Sequence, residues 1–191
     1  RNAPEALTDT AQSGYDDTKA VIAAWHGTAR NHVAITPRFA ITSTPAQLEA
    51  AGTLAREHPD LLIQTHLSEN NAEIAYTLEL YPDARDYTDV YAQYGLLTGK
   101  MLLGHAIHLS DREMDAIAEA GSIAVHCPTS NLFLGSGLFD LKRLKEHGVR
   151  TAIATDIGGG SSYSLLRTLD EAYKIQQLRG HRLPPIENYW Q

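Results

Sequence analysis

The stretch LLIQTHLSENNAEIAYTLEL, residues 61–80, predicts one strand followed by one helix. Its first seven residues form a run without clean polar alternation, which is typical of a strand buried in a parallel sheet. The second half reads as a helix that ends near Pro82. His66 and Glu69 lie three residues apart where the strand gives way to the helix. They are either chemically active or two polar residues that cap a strand.

The same strand-then-helix pattern occurs five times along the chain. The apolar runs cover residues 32–36, 61–67, 100–105, 122–127 and 149–156. A helix signal follows each run, such as the N-caps at Thr44 and Ser110 or the terminating Gly121. The first thirty residues also look helical, with an expected break at SGYDD, residues 13–17. Five consecutive βα units predict a parallel sheet with right-handed crossovers.

Two architectures contain such a sheet, the doubly wound fold and the (β/α)8 barrel. No GxGxxG motif follows the first strand, and the glycines at 158–160 lack the spacing and later acidic residue of a dinucleotide site. We therefore expect an α/β fold of the (β/α)8 TIM-barrel type. A complete barrel needs roughly 200–250 residues, and five units are too few to close one. We expect residues 1–180 to form the C-terminal part of a barrel and residues 181–191 to be a tail leading out of it.

Composition excludes several classes of function. The first residues lack the apolar core of a signal peptide, and no apolar stretch is long enough to span a membrane. Cys127 is the only cysteine, which rules out an intramolecular disulfide and fits a cytoplasmic location. The net charge of −7 disfavours nucleic acids and anionic membranes as partners, because both bind basic surfaces. A small neutral or cationic substrate is compatible with this charge.

Polar residues end four consecutive strands of the predicted sheet. They are His66, His105, His126 and Asp156. Each alone has a simple structural explanation, such as a hydrogen-bonded histidine or an aspartate that caps the next helix. In a barrel, however, the active site lies at the C-terminal ends of the strands. Four such residues at one edge therefore favour a functional site.

The residue types at this edge favour metal chemistry. Imidazole and carboxylate groups bind zinc or iron(II), and the absence of a CxxC motif disfavours thiolate ligands. Glu69 is better placed to move protons between an activated water and a substrate nitrogen than to bind the metal. Asp156 could bind the metal, accept a proton from the water, or do both. Cys127 and His126 point to opposite faces of a strand, so they cannot form a nucleophilic dyad, and we expect Cys127 to pack in the core.

Three loops have two interpretations each. Residues 128–137 could be a substrate lid or a surface loop packed by Leu132 and Phe133. Residues 158–164, GGGSSYS, could approach a ligand closely or form a plain turn. Arg38 and Phe39 could hold a flat heterocycle with a hydrogen-bonding fork and a stacking ring. From the residues alone, a surface arginine and a core phenylalanine is the simpler interpretation.

Five segments in order resemble the guanine deaminases of the amidohydrolase superfamily. They are ITPRF, QTHLSEN, LLGHAIHLS, HCPTSNLFLGSG and TDIGGGSSYS. HxxE with TD would indicate only an amidohydrolase, whereas PRF, HCPTSNL and the glycine–serine loop indicate the guanine enzymes. The resemblance implies a (β/α)8 barrel that binds one zinc ion and hydrolyses guanine to xanthine and ammonia. It also implies a homodimer as a common assembly.

Residue by residue, the resemblance assigns roles at the strand ends. His66, His105 and Asp156 would be zinc ligands, and Asp156 would also accept a proton from the water. Glu69 would protonate the purine ring nitrogen and carry protons to the leaving amine. The residues implied in substrate binding are Arg38, Phe39, His126 and Asn131.

One part of the family pattern is absent. The HxH pair that supplies two further zinc ligands does not occur in these 191 residues. We therefore expect the chain alone to bind zinc weakly and to show no turnover. The ligands are shared with 8-oxoguanine, S-adenosylhomocysteine and triazine hydrolases, so these remain alternatives. A non-catalytic α/β interaction domain is an alternative of a different class.

Overall fold

The computed structural model describes residues 2–185 as a five-stranded sheet with eight α-helices. The strands are β1 (Ala34–Ile35), β2 (Leu62–Leu67), β3 (Met101–His105), β4 (Ile123–His126) and β5 (Arg150–Ile153). The helices are α1 (Ala11–Trp25), α2 (Pro45–Glu57), α3 (Asn71–Leu80), α4 (Tyr87–Gln93), α5 (Asp111–Ala120), α6 (Pro128–Leu134), α7 (Leu141–Glu146) and α8 (Leu165–Leu178). None of these helices is long and apolar enough to cross a membrane.

The strands follow one another across the sheet in chain order, β1-β2-β3-β4-β5, and every neighbouring pair is parallel. A doubly wound sheet reverses its strand order at a switch point. No reversal occurs among the described strands, so the order favours the barrel over the doubly wound fold. The five predicted strands and their parallel pairing are confirmed.

Local capping explains where the helices begin. Thr44 and Ser110 each form the predicted capping box with the residue three positions on. A third box joins Asn70 to Glu73, where each side chain accepts a hydrogen bond from the other residue's backbone amide. This box starts α3 three residues after β2 ends. The turn between them, which carries Glu69, is therefore short and held at its helical end.

Four sequence predictions about element bounds are wrong. The break at residues 13–17 does not occur, because Ser13 completes a capping box with Thr10 and thereby starts α1. Strand β1 has two residues instead of the five predicted, and β5 has four instead of eight, so Asp156 lies three residues beyond the end of β5. Residues 128–134 form helix α6 instead of a loop, with Pro128 in its first turn and Gly135 as its left-handed C-cap.

The hydrophobic core covers one face of the sheet. In β2, alternate residues Ile63, Thr65 and Leu67 are buried. Leu62, on the other face, is 42% exposed. The apolar run at residues 61–67 predicts a strand buried on both faces. Within residues 2–185, however, only one face of that strand is covered.

The predicted tail begins inside the folded part of the chain. Leu183 packs into the core, and residues 186–191 of the tail lie outside the described residues.

Tyr91 of α4 joins two strand ends from beneath the sheet edge. Its fully buried hydroxyl accepts hydrogen bonds from the Ala40 amide at 3.1 Å and the Thr65 hydroxyl at 3.0 Å. The same hydroxyl donates to the His66 carbonyl oxygen at 2.8 Å. One side chain therefore fixes the segment after β1 against the end of β2.

We predict that Tyr91→Phe destabilises the fold, because it leaves the buried Ala40 amide without its partner. The free energy of unfolding should fall by about 1–3 kcal/mol, as measured by urea denaturation followed by circular dichroism. Tyr76→Phe removes the hydroxyl of a tyrosine that is 38% exposed, and it should change stability by less than about 0.5 kcal/mol. Equal effects of the two substitutions would show that the Tyr91 hydrogen bonds contribute nothing.

Candidate active site

The C-terminal edge of the sheet brings four of the sequence-predicted residues together. The His66 and His105 rings are stacked with centroids 5.4 Å apart. His105 Nε2 lies 3.7 Å from Glu69 Oε2 and 4.0 Å from Asp156 Oδ2. Two imidazoles and two carboxylates therefore face one another across β2, β3 and the end of β5.

Backbone strain is concentrated at the same edge. Of seven non-glycine residues with positive φ in the described part of the chain, four are Ser68, His105, Ala106 and Asp156, with φ between 45° and 70°. Such conformations cost on the order of 1–3 kcal/mol each and are found preferentially at functional sites. At His105 the positive φ changes the direction of the side chain. Its register partner is Leu67, whose side chain is in the core, and the positive φ turns the chain out of that alternation.

His66 is held by a backbone carbonyl. Its Nδ1 lies 2.6 Å from the carbonyl oxygen of Arg38, which can only accept, so Nδ1 carries the proton. In the neutral ring, Nε2 then keeps its lone pair. This is the arrangement by which a metal-binding histidine is usually oriented.

His105 is buried, with 2% of its surface exposed. Burial lowers its pKa, and the carboxylates of Glu69 and Asp156 only partly oppose this effect. The ring is therefore neutral at pH 7, the form that binds metals. Its Nδ1 lies 2.9 Å from the amide of Asn131, which is itself buried. This contact favours a role for Asn131 in orienting His105 over direct contact with a substrate.

Glu69 is held by a residue that the sequence did not indicate. Its Oε1 accepts a hydrogen bond from the Ser136 hydroxyl at 2.8 Å. Ser136 follows the C-cap of α6 and lies between Gly135 and Gly137, both with positive φ. The sequence did contain one indication of this role. Ser136 lies between two glycines and follows three apolar residues, a pattern that predicts a tight turn with an accessible hydroxyl.

The glycine loop after β5 leaves room for Asp156. A Cβ on Gly159 would lie 2.9 Å from Asp156 Oδ2, and one on Gly160 would lie 2.2 Å from the Thr155 carbonyl oxygen. These glycines therefore lie close against the Asp156 carboxylate and the Thr155 backbone, and the close approach to a ligand stays a prediction. The side chain of Asp156 is 31% exposed, so it remains accessible.

Arg38 and Phe39 lie beside the cluster. The Arg38 guanidinium is 4.8 Å from the centre of the Phe39 ring, whose centroid is 4.7 Å from that of His66. Phe39 is half-buried and does not belong to the core, so the interpretation as a core phenylalanine is wrong. The pair instead extends the ring surface formed by the two histidines.

His126 lies on the core face of β4. It is fully buried, with its ring stacked on Phe139 at a centroid distance of 4.3 Å. Cys127 is buried as expected, and burial raises the pKa of its thiol to about 12, which keeps it unreactive.

The segment 128–137 is not packed by its two large apolar residues. Leu132 and Phe133 are 42% and 74% exposed, so the interpretation in which they pack this segment is wrong.

The cluster fits zinc in donor type but is incomplete. No group of three or more histidine, cysteine, aspartate or glutamate residues within residues 2–185 is arranged closely enough to hold a metal ion. The free Nε2 of His66, the neutral ring of His105 and the accessible Asp156 are nevertheless the ligand types that zinc prefers. The hydrogen bond at Nδ1 orients the His66 ring for metal binding, whereas the Asn131 amide nitrogen donates to Nδ1 of His105 and so places the proton of that neutral ring on Nε2. The donor set is therefore not a closed metal site.

Comparison with known proteins identifies the family. Residues 6–188 match the model of the Amidohydrolase family. The chain is 48% identical over 190 residues to a guanine deaminase of Escherichia coli, matching all of this chain and 43% of that protein. The solved structure of the E. coli enzyme superimposes with a TM-score of 0.97 over the whole chain and 44% of its own length. The chain thus spans less than half the length of this relative.

Two further structures show the same fold. A guanine deaminase from C. acetobutylicum, with guanine bound in its active site, is 30% identical with a TM-score of 0.93 over 99% of this chain and 47% of its own. An adenosine deaminase from Xanthomonas campestris with bound zinc is 23% identical with a TM-score of 0.84 over 94% of this chain and 40% of its own. The five βα units are therefore part of a TIM barrel, and the chain belongs to the amidohydrolase family.

Proposed function

We propose that this chain carries the acid–base half of a zinc-dependent guanine deaminase, which hydrolyses guanine to xanthine and ammonia. The observation that carries the proposal is the meeting of Glu69, His105 and Asp156 at the C-terminal edge of the sheet. The identity of 48% to a guanine deaminase over the whole chain supports the choice of substrate.

Residues 1–180 would be the C-terminal part of the barrel, and residues 181–191 would lead out of it. The strand order and the uncovered face of β2 support an incomplete barrel, while Leu183 shows that the first residues of the tail still pack on the core. The remaining strands would complete the sheet and supply the HxH ligands. The E. coli guanine deaminase that the chain matches is more than twice as long as the chain.

The zinc ligands contributed by this chain would be His66, His105 and Asp156. Bound zinc supplies a Lewis acid that lowers the pKa of water. The Arg38 carbonyl and the Asn131 amide orient the two imidazoles. Iron(II) accepts the same donor set, so metal analysis must decide between the two ions.

Glu69 and Asp156 would move the protons of the hydrolysis. A bond forms between the water oxygen and the purine carbon, and the bond from that carbon to the exocyclic nitrogen breaks. Asp156 would accept the first proton from the water, and Glu69, protonated at the start, would give its proton to the ring nitrogen. Glu69 would then take the second proton from the added hydroxyl as the carbonyl forms and pass it to the amine, which leaves as ammonia. The proton on Asp156 returns to Glu69 and restores the starting state.

Arg38 and Phe39 would hold the purine. The guanidinium donates to the carbonyl oxygen of guanine, and the ring offers a stacking surface beside His66. Asn131 would act on the substrate through His105, whose ring it contacts. A substrate-binding role for His126, which stacks on the core residue Phe139, rests on the family resemblance alone.

The intact protein would be a cytoplasmic homodimer with no nucleic-acid or membrane partner. The single cysteine and the net charge of −7 support the compartment and the choice of partners, and the dimer rests on family resemblance. Light scattering of the full-length protein measures its assembly.

The activity is tested by the substrates that the full-length protein deaminates. Ammonia should be released from guanine faster than from 8-oxoguanine, cytosine or adenosine. No ammonia from guanine contradicts the proposed function, and preference for 8-oxoguanine points to a sister hydrolase.

We predict that Glu69→Gln in the full-length protein lowers kcat for guanine by at least about 100-fold, because general acid–base groups contribute about 10²–10⁴-fold. Glu119→Gln, on an exposed surface of α5, is the matched control and should leave kcat unchanged. Equal kcat for the two variants would favour the non-catalytic interaction domain.

We predict that zinc binding requires residues beyond this chain. Changes to groups that merely orient ligands cost about 10–100-fold in metal affinity, so the loss of ligands should cost at least as much. By metal analysis after dialysis, the 191-residue chain should lose its zinc, whereas the full-length protein should retain about one ion per chain. His66→Ala in the full-length protein should release zinc, and His32→Ala, at an exposed position, should not. Retention of zinc by His66→Ala would remove this residue from the ligand set.

A further inference from the structure

We propose that Ser136 is a positioning residue that fixes the orientation of the Glu69 carboxylate, so that one of its two equivalent oxygens faces the reacting atoms. This inference rests on the proposed function, because it concerns how Glu69 is held for proton transfer. Ser136 lies 67 positions from Glu69 in the chain, at the turn after α6, and the two side chains meet by tertiary folding alone.

The two carboxylate oxygens of Glu69 have different surroundings. Oε1 accepts a hydrogen bond from the Ser136 hydroxyl at 2.8 Å. Oε2 faces His105 Nε2 at 3.7 Å, beyond hydrogen-bond distance and toward the site. The hydroxyl therefore occupies one oxygen and leaves the other to exchange protons.

The Ser136 turn is itself fixed at several points. The Ser136 amide donates to the Asn131 carbonyl oxygen at 2.9 Å, and the Ser136 carbonyl oxygen accepts from His108 Nε2 at 2.9 Å. Gly137 lies so close to His108 that a Cβ would be 3.3 Å from its ring, in addition to the cost of its φ of 139°. His108, at the end of the GHAIH segment, thus holds the turn that holds Glu69.

The mechanical reason for such a clamp lies in the side chain of glutamate. The terminal torsion of a carboxylate is broad, so an unanchored carboxylate rotates and samples many orientations. Glu69 is anchored at its backbone by the capping carboxylate of Glu73, which leaves the side-chain end free. Ser136 supplies the missing constraint at that end.

The test is Ser136→Ala in the full-length protein, with Ser122→Ala as the matched control. Ser122 is buried, and its hydroxyl also donates one hydrogen bond, to the Thr98 carbonyl oxygen at 2.7 Å, before β4 begins and away from the site. Ser136→Ala should lower kcat by about 10-fold to 100-fold, the size of effect expected from misplacing a catalytic group, and leave KM within about twofold. Ser122→Ala should change neither. A kcat for Ser136→Ala equal to that of Ser122→Ala overturns the inference.

A second comparison separates positioning from general structural damage. In a Glu69→Gln background, Ser136→Ala should lower kcat by less than about twofold, because residues that act as a unit are not additive. The same fold loss in both backgrounds overturns the inference.

A crystallographic comparison does not depend on the substrate. The Glu69 carboxylate should be turned away from His105, or spread over several orientations, in Ser136→Ala and not in Ser122→Ala, and an unchanged carboxylate overturns the inference. If the wild-type protein does not turn over guanine, that result counts against the proposed function. The crystallographic comparison would still decide whether Ser136 positions Glu69.

Discussion

Parallel pairing in chain order is the constraint on which the rest of this structure depends. It places the carboxyl end of every strand at one edge of the sheet, so residues far apart in sequence arrive side by side. His66 and Asp156 are 90 positions apart, yet both lie next to His105 at that edge. The alternation of side chains along a strand would send His105 into the core with Leu67. Left-handed backbone at the strand ends releases it toward the site, at a cost that the surrounding packing must offset.

Buried hydrogen bonds between the strand ends and helices α3 and α4 stabilise this strained edge of the sheet. Tyr91 binds the ends of β1 and β2 together through its hydroxyl. Glu73 caps α3 while accepting from the backbone of Glu69. Burial raises the pKa of Glu73, and this carboxyl is thus held where its charged form is disfavoured. The site is therefore positioned by buried polar groups, of which Tyr91 also stabilises the fold and Glu73 is held where its charged form is disfavoured.

Features encoded locally could be predicted from the sequence. The capping boxes at Thr44 and Ser110 are read from four adjacent residues, and the strands from short apolar runs. The four cluster residues were found because the topology fixes where strands end. Ser136 and Tyr91 could not be found in this way, because their roles depend on contacts 67 and 51 positions away. His126 shares the strand-end pattern but stacks on Phe139, since an ordinary strand end keeps its side chain on the core face. No local signal distinguishes it from His105, whose backbone is strained.

One pattern unites the side chains of the site. His66 uses Nδ1 to bind the Arg38 carbonyl and leaves Nε2 free. His105 is held at Nδ1 by an amide and presents Nε2 to the carboxylates, and Glu69 is held at Oε1 and presents Oε2. In each residue one polar atom forms a hydrogen bond with the surrounding protein, and the other polar atom faces the candidate site. A side chain held at one atom has a single orientation for the other, and pre-orientation of this kind is what lets acid–base groups and metal ligands act without reorganisation during the reaction. The outer hydrogen bonds are therefore as much a part of the site as the atoms that face inward.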